Sequence, residues 1–231
     1  MESNEQIIVG LDIGTTKIAC LVGKKNEYGK LELLGMGKAE SVGVRRGVVS
    51  HITPAVEAIR KAVEKAGLNS GCEIKVVNVG IAGQHIKSLQ HRGVITLDNL
   101  EDEISMKDVD ALIQDMHKLV LPPGESIIHV LPQDFIVDNE SGIKDPIGMS
   151  GIRLEANFHI ITGLVTAIQN IFKCVQKSDL EIADLTLEPL ASAASVLSDE
   201  EREAGVVLVD IGGGTTDVAI FQDGIIRHTS V

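Results

Sequence analysis

Aromatic residues are almost missing from this chain: tryptophan is absent, and Phe and Tyr together make up 2% of its 231 residues. Apolar residues still account for 44%, so the core must be built from valine, isoleucine, leucine and alanine. The shortage also removes the stacking side chains on which single-stranded nucleic acids bind. Fully buried strands of this composition favour sheets that are covered on both faces.

Basic residues are scarce as well. There are 21 Lys and Arg against 33 Asp and Glu, which gives a net charge of −12. Such a surface repels a phosphate backbone, so we expect no nucleic-acid partner. It also repels an anionic bilayer, so membrane binding would require a separate anchor.

Cysteines and long apolar runs are few. Cys20, Cys72 and Cys174 are scattered and odd in number, which is typical of free thiols in a reducing cytoplasm and not of disulfides. The seven histidines do not join them at ligand spacing, so we expect no structural metal. No run reaches the roughly 18–20 apolar residues of a transmembrane helix, and the acidic residues 1–6 lack a signal-peptide pattern.

One short phrase occurs twice, as VGLDIGTTK at residues 9–17 and VLVDIGGGTTD at residues 207–217. In each copy an apolar run ends in an aspartate and is followed by a glycine-threonine turn and a second apolar run, which predicts a β-hairpin. Glycine lets the main chain approach closely, so the bare amides and threonine hydroxyls suit phosphate oxygens. The aspartate suits a hydrated divalent cation. We therefore expect two halves that bind one polyphosphate.

Other nucleotide-binding patterns are missing. Residues 10–17 have the wrong glycine spacing for a Walker A loop, and no Gly-Lys-Ser/Thr follows. No G-x-G-x-x-G follows a strand, so a Rossmann dinucleotide site is unsupported.

The pattern of apolar residues predicts an α/β protein with an inserted segment. A first unit contains three strands, a helix capped by Thr53 with Pro54 in its first turn and closed by Gly67, and a further strand. The insertion contains a strand pair, a helix opened by a Ser105–Asp108 capping box with Met106 and Met116 on its core face, and two strands joined by a loop. The predicted bounds are strands 7–12, 17–23, 31–38 and 74–81; within the insertion, the strand pair 84–96, a helix that ends at 122–124, strands 127–137 and 152–162, and the loop 138–150.

The rest of the chain returns to the first unit and then begins a second. We expect an amphipathic helix over 163–177, a strand over 182–187 and an alanine-rich helix over 189–197. Residues 198–203 are predicted to be a solvated link before the second hairpin. Because residues 224–231 still have strand character, we expect the chain to be a fragment whose second half is incomplete.

The paired hairpins resemble the phosphate loops of the actin, heat-shock-70 and sugar-kinase superfamily, in which two ribonuclease-H-like halves close over ATP and magnesium. Four further blocks are similar to the FtsA family of bacterial cell-division proteins, over essentially the whole chain. These blocks are SVGVRRG at 41–47, GQHI at 83–86, PIGMSGIRLEA at 146–156 and LEPLASA at 187–193.

The resemblance implies an actin-like fold with three subdomains. Subdomain 1A would comprise residues 1–83 and 163–203, the inserted SHS2-type subdomain 1C residues 84–162, and the start of subdomain 2A residues 204–231. The family's remaining 2A strands, its adenosine-binding 2B subdomain and its C-terminal amphipathic membrane-targeting helix would lie beyond Val231.

The resemblance also implies roles for single residues around ATP and Mg²⁺. Asp12 and Asp210 would bind magnesium through water, and Lys17 would contact a β- or γ-phosphate as a point charge. Glu188 matches the residue that places the attacking water, although it is equally an ordinary acid at a helix N-terminus. Asp217, where the first copy has Lys17, either assists magnesium or only completes the turn. The phosphate-loop residues are Gly14, Thr15, Thr16 and Lys17 in the first hairpin and Gly212, Gly213, Gly214 and Thr215 in the second.

As a member of this family the chain would belong to an adaptor and not to a fast enzyme. The resemblance implies head-to-tail filaments that form through subdomain 1C, with slow or absent ATP hydrolysis as an assembly switch. The filaments would link the ring of an FtsZ-type tubulin homologue to the inner face of the cytoplasmic membrane and recruit later division proteins. Two alternatives remain open: a pilus-assembly actin homologue and a small-molecule kinase of the same superfamily.

Overall fold

A computed structural model describes residues 7–97 and 103–231. The N-terminal hexapeptide, in which the sequence shows no signal-peptide pattern, lies outside these residues. The elements of the first unit are β1 (Ile7–Ile13), β2 (Lys17–Lys25), β3 (Leu31–Glu40), β4 (Val44–Arg45), β5 (Val48–Val49), α1 (Ile52–Ser70) and β6 (Val76–Ile81). They are followed by β7 (Lys87–Thr96), α2 (Met106–Met116), β8 (Glu125–Val137), β9 (Glu140–Ile143) and β10 (Arg153–Leu164). The chain continues with α3 (Val165–Lys177), β11 (Glu181–Leu187), α4 (Glu188–Val196), α5 (Asp199–Ala204), β12 (Val206–Ile211), β13 (Thr216–Gln222) and β14 (Ile225–Ser230).

The largest sheet has the strand order β11-β6-β1-β2-β3. The meander β1-β2-β3 is antiparallel, whereas β6 runs parallel to β1 and β11 runs parallel to β6. Helices α1 and α3 pack on one another and on this sheet, and the core between them is aliphatic. Its fully buried members include Ile18, Cys20, Val22, Ile59, Ala62 and Val77.

The inserted sheet has the order β7-β10-β8-β9 and is antiparallel. Helix α2 covers one face, where Leu112 and Met116 pack with Leu154, Phe158 and Ile160 of β10. The side chains of β10 that alternate with these include polar ones, Glu155 and His159, and both are 1% exposed. Strand β10, an inner strand of this sheet, is therefore buried on both faces. One of these faces is apolar and the other is partly polar.

The third sheet, β12-β13-β14, is smaller. Helices α4 and α5 pack against β13, and the buried cluster between them contains Ala193, Ala219, Phe221 and Ile226. Strand β14 also contacts the inserted sheet, since the Ser88 hydroxyl donates to the Thr229 carbonyl at 3.1 Å. The insertion thus contacts the sheet of the second hairpin directly.

Helix α1 differs from its prediction at both ends. Its N-cap residue is His51, so Thr53 lies in the first turn and does not cap the helix. Gly67 does not end the helix, because Gly71 adopts the left-handed conformation (φ 69°) and its amide closes the helix on the Gly67 carbonyl at 2.8 Å. The glycine that ends the helix is therefore Gly71, one turn after the predicted Gly67.

Three predictions within the insertion are also wrong. Residues 84–96 do not form a strand pair, because β7 is one strand that pairs along its whole length with β10. Helix α2 ends at Met116, well before the predicted stop at 122–124. The capping box of Ser105 and Asp108 is confirmed, but Met106 is 58% exposed and only Met116, at 3%, fills the core.

Three further boundaries differ. The loop 138–150 contains the short strand β9, and α3 begins at Val165 because residues 162–164 still pair with β8. Residues 198–203 fall mostly in helix α5, where Ser198 and Glu201 form a capping box. The S-x-x-E pattern of residues 198–201 predicts this cap, whereas the run of charges alone does not.

Candidate functional site

Both copies of the repeated phrase fold as the predicted hairpins. In the first, β1 pairs with β2 so that Asp12 lies opposite Ala19. In the second, β12 pairs with β13 so that Asp210 lies opposite Asp217. Both turns contain four residues, 14–17 and 212–215, and in each hairpin the residue seven positions after the aspartate lies across from it.

The two turns lie against each other. A methyl group placed on Gly213 would come within 2.2 Å of Thr16 Cγ2, and one on Gly214 within 2.7 Å of Thr15 Oγ1. The Thr15 hydroxyl accepts a hydrogen bond from the Gly47 amide at 3.2 Å. Only glycine leaves room for this approach of the two halves, so the contact explains why the second turn consists of glycines.

Carboxylates from three different elements line one cavity of about 400 Å³ beside the turns. Asp12 comes from the end of β1, Asp210 from the end of β12 and Glu188 from the first residue of α4. Gly80 forms part of the wall, and a methyl group there would lie 3.0 Å from Glu188 Cγ. The structure therefore brings together the two predicted magnesium residues and the predicted catalytic residue.

The electrostatics of these carboxylates reflect burial and crowding. Burial, and after it the charges of Asp12, Asp217 and Asp210, raises the pKa of Glu188 to about 8. The pKa of Asp12 is raised mainly by burial; Lys17 opposes this shift, and the Asp210 charge adds to it. Carboxylates that share one cavity disfavour one another's ionisation. A cation bound among them would relieve this repulsion and would therefore be stabilised at this site.

Asp217, whose role the sequence left undecided, belongs to the same cluster. It is 3% exposed, and its Oδ1 atom has no hydrogen-bond partner among the described residues. Burial raises its pKa, a hydrogen bond from Thr215 lowers it, and Asp210 raises it further. The signal that could have found it is its spacing from Asp210, since a four-residue turn after Ile211 sets the residue seven positions after the aspartate opposite it.

Ser192 is a second residue that the site prediction missed. Its hydroxyl donates to Asp210 Oδ2 at 2.8 Å, so it fixes the orientation of that carboxylate. Ser192 lies four residues after Glu188 on α4, and this spacing places both side chains on one face of the helix. The i, i+4 spacing from the predicted acid was the available signal.

The predicted phosphate-loop residues lie outside the cavity that the carboxylates line. Gly14, Thr15 and Thr16 form the first turn, and Lys17 is the exposed first residue of β2. Residues 212–216 line a separate polar cavity of about 320 Å³ together with Gln84 and Val231. Lys17 is the cationic side chain that lowers the pKa of Asp12.

The donor set fits a cation held through water. Across residues 7–97 and 103–231, no three His, Cys, Asp or Glu side chains converge closely enough to bind a metal directly. Asp12, Asp210 and Glu188 nevertheless share a cavity. In the neighbouring Asp217, the Oδ1 atom is buried and has no hydrogen-bond partner among the described residues. This matches Mg²⁺, which keeps several of its waters and binds phosphates with one or two carboxylates. The exposed glycine-threonine turns fit phosphate oxygens.

Solved structures share the architecture. The PilM-PilN type IV pilus biogenesis complex matches 96% of this chain and 60% of its own with a TM-score of 0.70 at 11% identity. The ethanolamine utilization protein EutJ from Carboxydothermus hydrogenoformans matches 97% of this chain and 51% of its own, with a TM-score of 0.53 at 17% identity. These likenesses concern the fold alone. The chain has the mixed α/β fold of the actin-like class.

Sequence comparisons identify the branch. A family model for the SHS2 domain inserted in FtsA matches residues 83–162. The chain is 46% identical over 226 residues to the cell division protein FtsA of Pseudomonas aeruginosa, which covers 98% of this chain and 54% of the relative. The corresponding protein of Neisseria meningitidis is 43% identical over 231 residues, covering 100% of this chain and 55% of the relative. For Escherichia coli the identity is 35% over 229 residues, with 99% and 54% covered.

The chain therefore belongs to the FtsA family. It spans about half the length of the curated relatives that it matches. In the described residues no helix is long and apolar enough to cross a membrane.

Proposed function

We propose that this chain carries the phosphate- and magnesium-binding part of an ATP-dependent cell-division protein. The observation that supports this most is the meeting of the two hairpins. Gly213 and Gly214 face Thr16 and Thr15 across the gap between the halves, and the carboxylates at the two strand ends share one cavity. Because the turns touch, they must separate to admit phosphates, so nucleotide binding and the relation between the halves are coupled.

The roles follow from the chemistry of each group. Asp12 and Asp210 would bind magnesium through water, with Asp217 as a third acid beside Asp210. Lys17 would contact a terminal phosphate as a point charge. Bound Mg²⁺ would neutralise phosphate charge. Glu188, which lines the same cavity from the first residue of α4, would orient the attacking water molecule. The amides and hydroxyls of Gly14, Thr15, Thr16, Gly212, Gly213, Gly214 and Thr215 would bind phosphate oxygens.

We propose that hydrolysis is slow or absent, with the nucleotide acting as an assembly switch. In the nucleotide-free chain a carboxyl group whose pKa is about 8 is mostly protonated at neutral pH. A magnesium ion would lower that pKa, so the charge of Glu188 would depend on the bound nucleotide. A group whose charge changes with nucleotide binding suits such a switch.

We propose the subdomain division 1A (1–83 and 163–203), 1C (84–162) and 2A (from 204). The five-stranded sheet and the inserted sheet have separate buried clusters, which supports the division between 1A and 1C. The third cluster joins Ala193 of α4 to β13 and β14, so it does not mark the boundary between 1A and 2A. We also propose assembly into filaments through 1C, linkage of an FtsZ-type ring to the cytoplasmic membrane and recruitment of later division proteins. The relatives' shared name, cell division protein FtsA, supports a division role.

The alternatives have less support. The likeness to the PilM-PilN complex is one of fold at 11% identity, whereas the cell-division relatives named above share 35–46% of their residues with this chain. A small-molecule kinase requires a further catalytic acid facing a substrate pocket. Our proposal assigns each carboxylate that lines the described cavity, Asp12, Asp210 and Glu188, to magnesium or to water.

The proposed site is tested by Asp210→Ala. We expect the affinity for Mg-ATP to fall about 10–100-fold, as for other groups that support a metal indirectly. If the adenosine contributes little to binding, the same fall is expected for Mg-tripolyphosphate. Isothermal titration in Mg²⁺ and in EDTA measures the change. The exposed acid Asp110 on α2 provides the matched control, Asp110→Ala. An unchanged Mg²⁺-dependent affinity in Asp210→Ala would contradict the assignment.

A further inference from the structure

The junction between β11 and α4 is held by a side chain from the insertion. Strand β11 is the edge strand of the five-stranded sheet, and its last residue, Leu187, is 1% exposed. A buried backbone amide requires an acceptor. His129, on β8 of the inserted sheet, provides one, since its Nε2 atom accepts from the Leu187 amide at 3.0 Å.

The imidazole is suited to accept at this position. Burial lowers the pKa of His129, and the nearby Asp184 carboxylate only partly opposes this. The ring is therefore neutral at pH 7, and one of its two nitrogens is free to accept. The hydrogen bond to Leu187 identifies that nitrogen as Nε2 and places the proton on Nδ1.

Leu187 determines where the proposed catalytic group begins. It is the N-cap residue of α4, with extended backbone angles (φ −60°, ψ 128°) and no side-chain cap, and Glu188 is the next residue. On the other side, Gly80 offers Glu188 a wall without a side chain, where a methyl group would lie 3.0 Å from Glu188 Cγ. His129 of the insertion therefore orients the peptide that precedes Glu188. Gly80 of β6 forms the wall beside the Glu188 side chain.

We propose that His129 is a positioning residue for Glu188, acting from the inserted subdomain through the backbone amide of Leu187. The role in nucleotide turnover rests on the function proposed above, whereas the contact itself does not. The consequence is a direct physical link between the insertion and the nucleotide site. A force or a partner that displaced β8 would release the strand-to-helix junction at which Glu188 begins.

Two substitutions separate the hydrogen bond from the bulk of the ring. His129→Phe keeps a planar ring and removes the acceptor, whereas His129→Gln places an amide oxygen near the position of Nε2. His91, an exposed histidine on β7 of the same sheet, provides the matched control, His91→Phe. Amide exchange of the β10 strand, followed by NMR, shows whether each variant retains the inserted sheet.

Three measurements on the 231-residue chain decide the proposal. In His129→Phe we expect the Leu187 amide to exchange at least tenfold faster, the apparent pKa of Glu188 to move from about 8 towards its ordinary value, and the rate constant of Mg-ATP hydrolysis to fall more than the affinity. His129→Gln should restore all three, and His91→Phe should change none. The Glu188 titration is followed by ¹³C NMR of its side-chain carboxyl.

The outcomes distinguish this inference from the proposed function. An unchanged exchange rate of Leu187 in His129→Phe would overturn the contact. Faster exchange with an unaltered Glu188 titration would overturn the positioning role. If the wild-type chain bound no magnesium nucleotide, the proposed function would fail, while the exchange and titration results would still decide the role of His129.

Discussion

The two hairpins share a sequence pattern but differ in what packs on them. In the first, the apolar face of β1 and β2 lies under α1 and α3, and Ile18, Cys20 and Val22 are fully buried. In the second, the corresponding apolar face is open, with Val207, Val209 and Ile211 exposed by 50–78%. The alternation of apolar residues thus identifies strands equally well in both, but it does not determine how deeply each is buried.

The attachments of the hairpins differ in chemistry as well. The first belongs to the five-stranded sheet, which packs on helices α1 and α3 through aliphatic side chains. The sheet of the second meets the insertion through the apolar side chain of Leu131 and through hydrogen bonds. Gln133 Nε2 donates to the Ile226 carbonyl at 2.6 Å, and His159 Nε2 lies 3.1 Å from Thr229 Oγ1. The His159 contact depends on the protonation state of the ring, so the attachment of the second half should respond to pH.

Matched isoleucine truncations test the comparison of burial, and they carry the largest expected effect. Ile18→Ala on β2 should lower the free energy of unfolding by about 4 kcal/mol, because it leaves a cavity in a fully buried core. Ile220→Ala on β13, where the side chain is only half-buried, should cost about 1 kcal/mol. Urea unfolding measures both. Equal losses would show that the two hairpins are equally well packed in solution.

Much of the architecture was predictable because its signals are local. The hairpins, the Ser105–Asp108 cap of α2 and the strand-to-helix junction at Glu188 each depend on a few neighbouring residues. Errors arose where distant partners decide the outcome. Strand β7 is a single strand because β10 pairs with it over its full length. No local pattern in residues 84–96 predicts that partner.

The site shows the same division. Asp12, Asp210 and Glu188 were predicted, and the structure places them around one cavity. Asp217 was left undecided because its role depends on cross-strand register, and His129 was missed because its partner is a backbone amide 58 residues away. Backbone amides carry no sequence signature, so contacts of this type become visible only in the fold.

The second hairpin's polar attachment predicts a pH effect of intermediate size. Burial, with a contribution from His228, lowers the pKa of His159 to about 4, whereas the ordinary value is about 6.5. The unfolded chain therefore binds the proton first as the pH falls. The neutral, buried His159 ring therefore stabilises the folded state fully above about pH 6.5. This contribution of about 3 kcal/mol is lost as the pH falls from there to about pH 4.

Comparing the wild-type chain with His159→Gln isolates that contribution from the carboxylates that titrate in the same range. Urea unfolding between pH 4 and pH 7 should show a shallower pH dependence in the variant. The same comparison for His91→Phe should leave the pH dependence unaltered, because that ring is exposed. Parallel curves for wild type and His159→Gln would mean that His159 is accessible to protons in the folded protein.

The smallest predicted effect concerns the cross-strand pairs that distinguish the hairpins. Asp210 faces Asp217, whereas Asp12 faces Ala19, and like charges directly opposite each other destabilise a sheet. Because the pKa of Asp217 is raised, the folded state loses stability as the pH rises through that pKa. Asp217→Asn should therefore stabilise the nucleotide-free protein by about 1 kcal/mol at pH 7, and by nothing once the pH lies below the ordinary aspartate pKa.

The reverse substitution tests the same register in the first hairpin. Ala19→Asp places a carboxylate opposite Asp12 and should destabilise the chain at pH 7 by about the amount that Asp217→Asn stabilises it. Added Mg²⁺ should reduce both effects, since a cation compensates the repulsion that each measures. Thermal unfolding with and without Mg²⁺ gives the comparison. If Asp217→Asn were destabilising in the absence of Mg²⁺, the carboxylate would be serving a structural contact, and the acidic pair would not be what separates the second hairpin from the first.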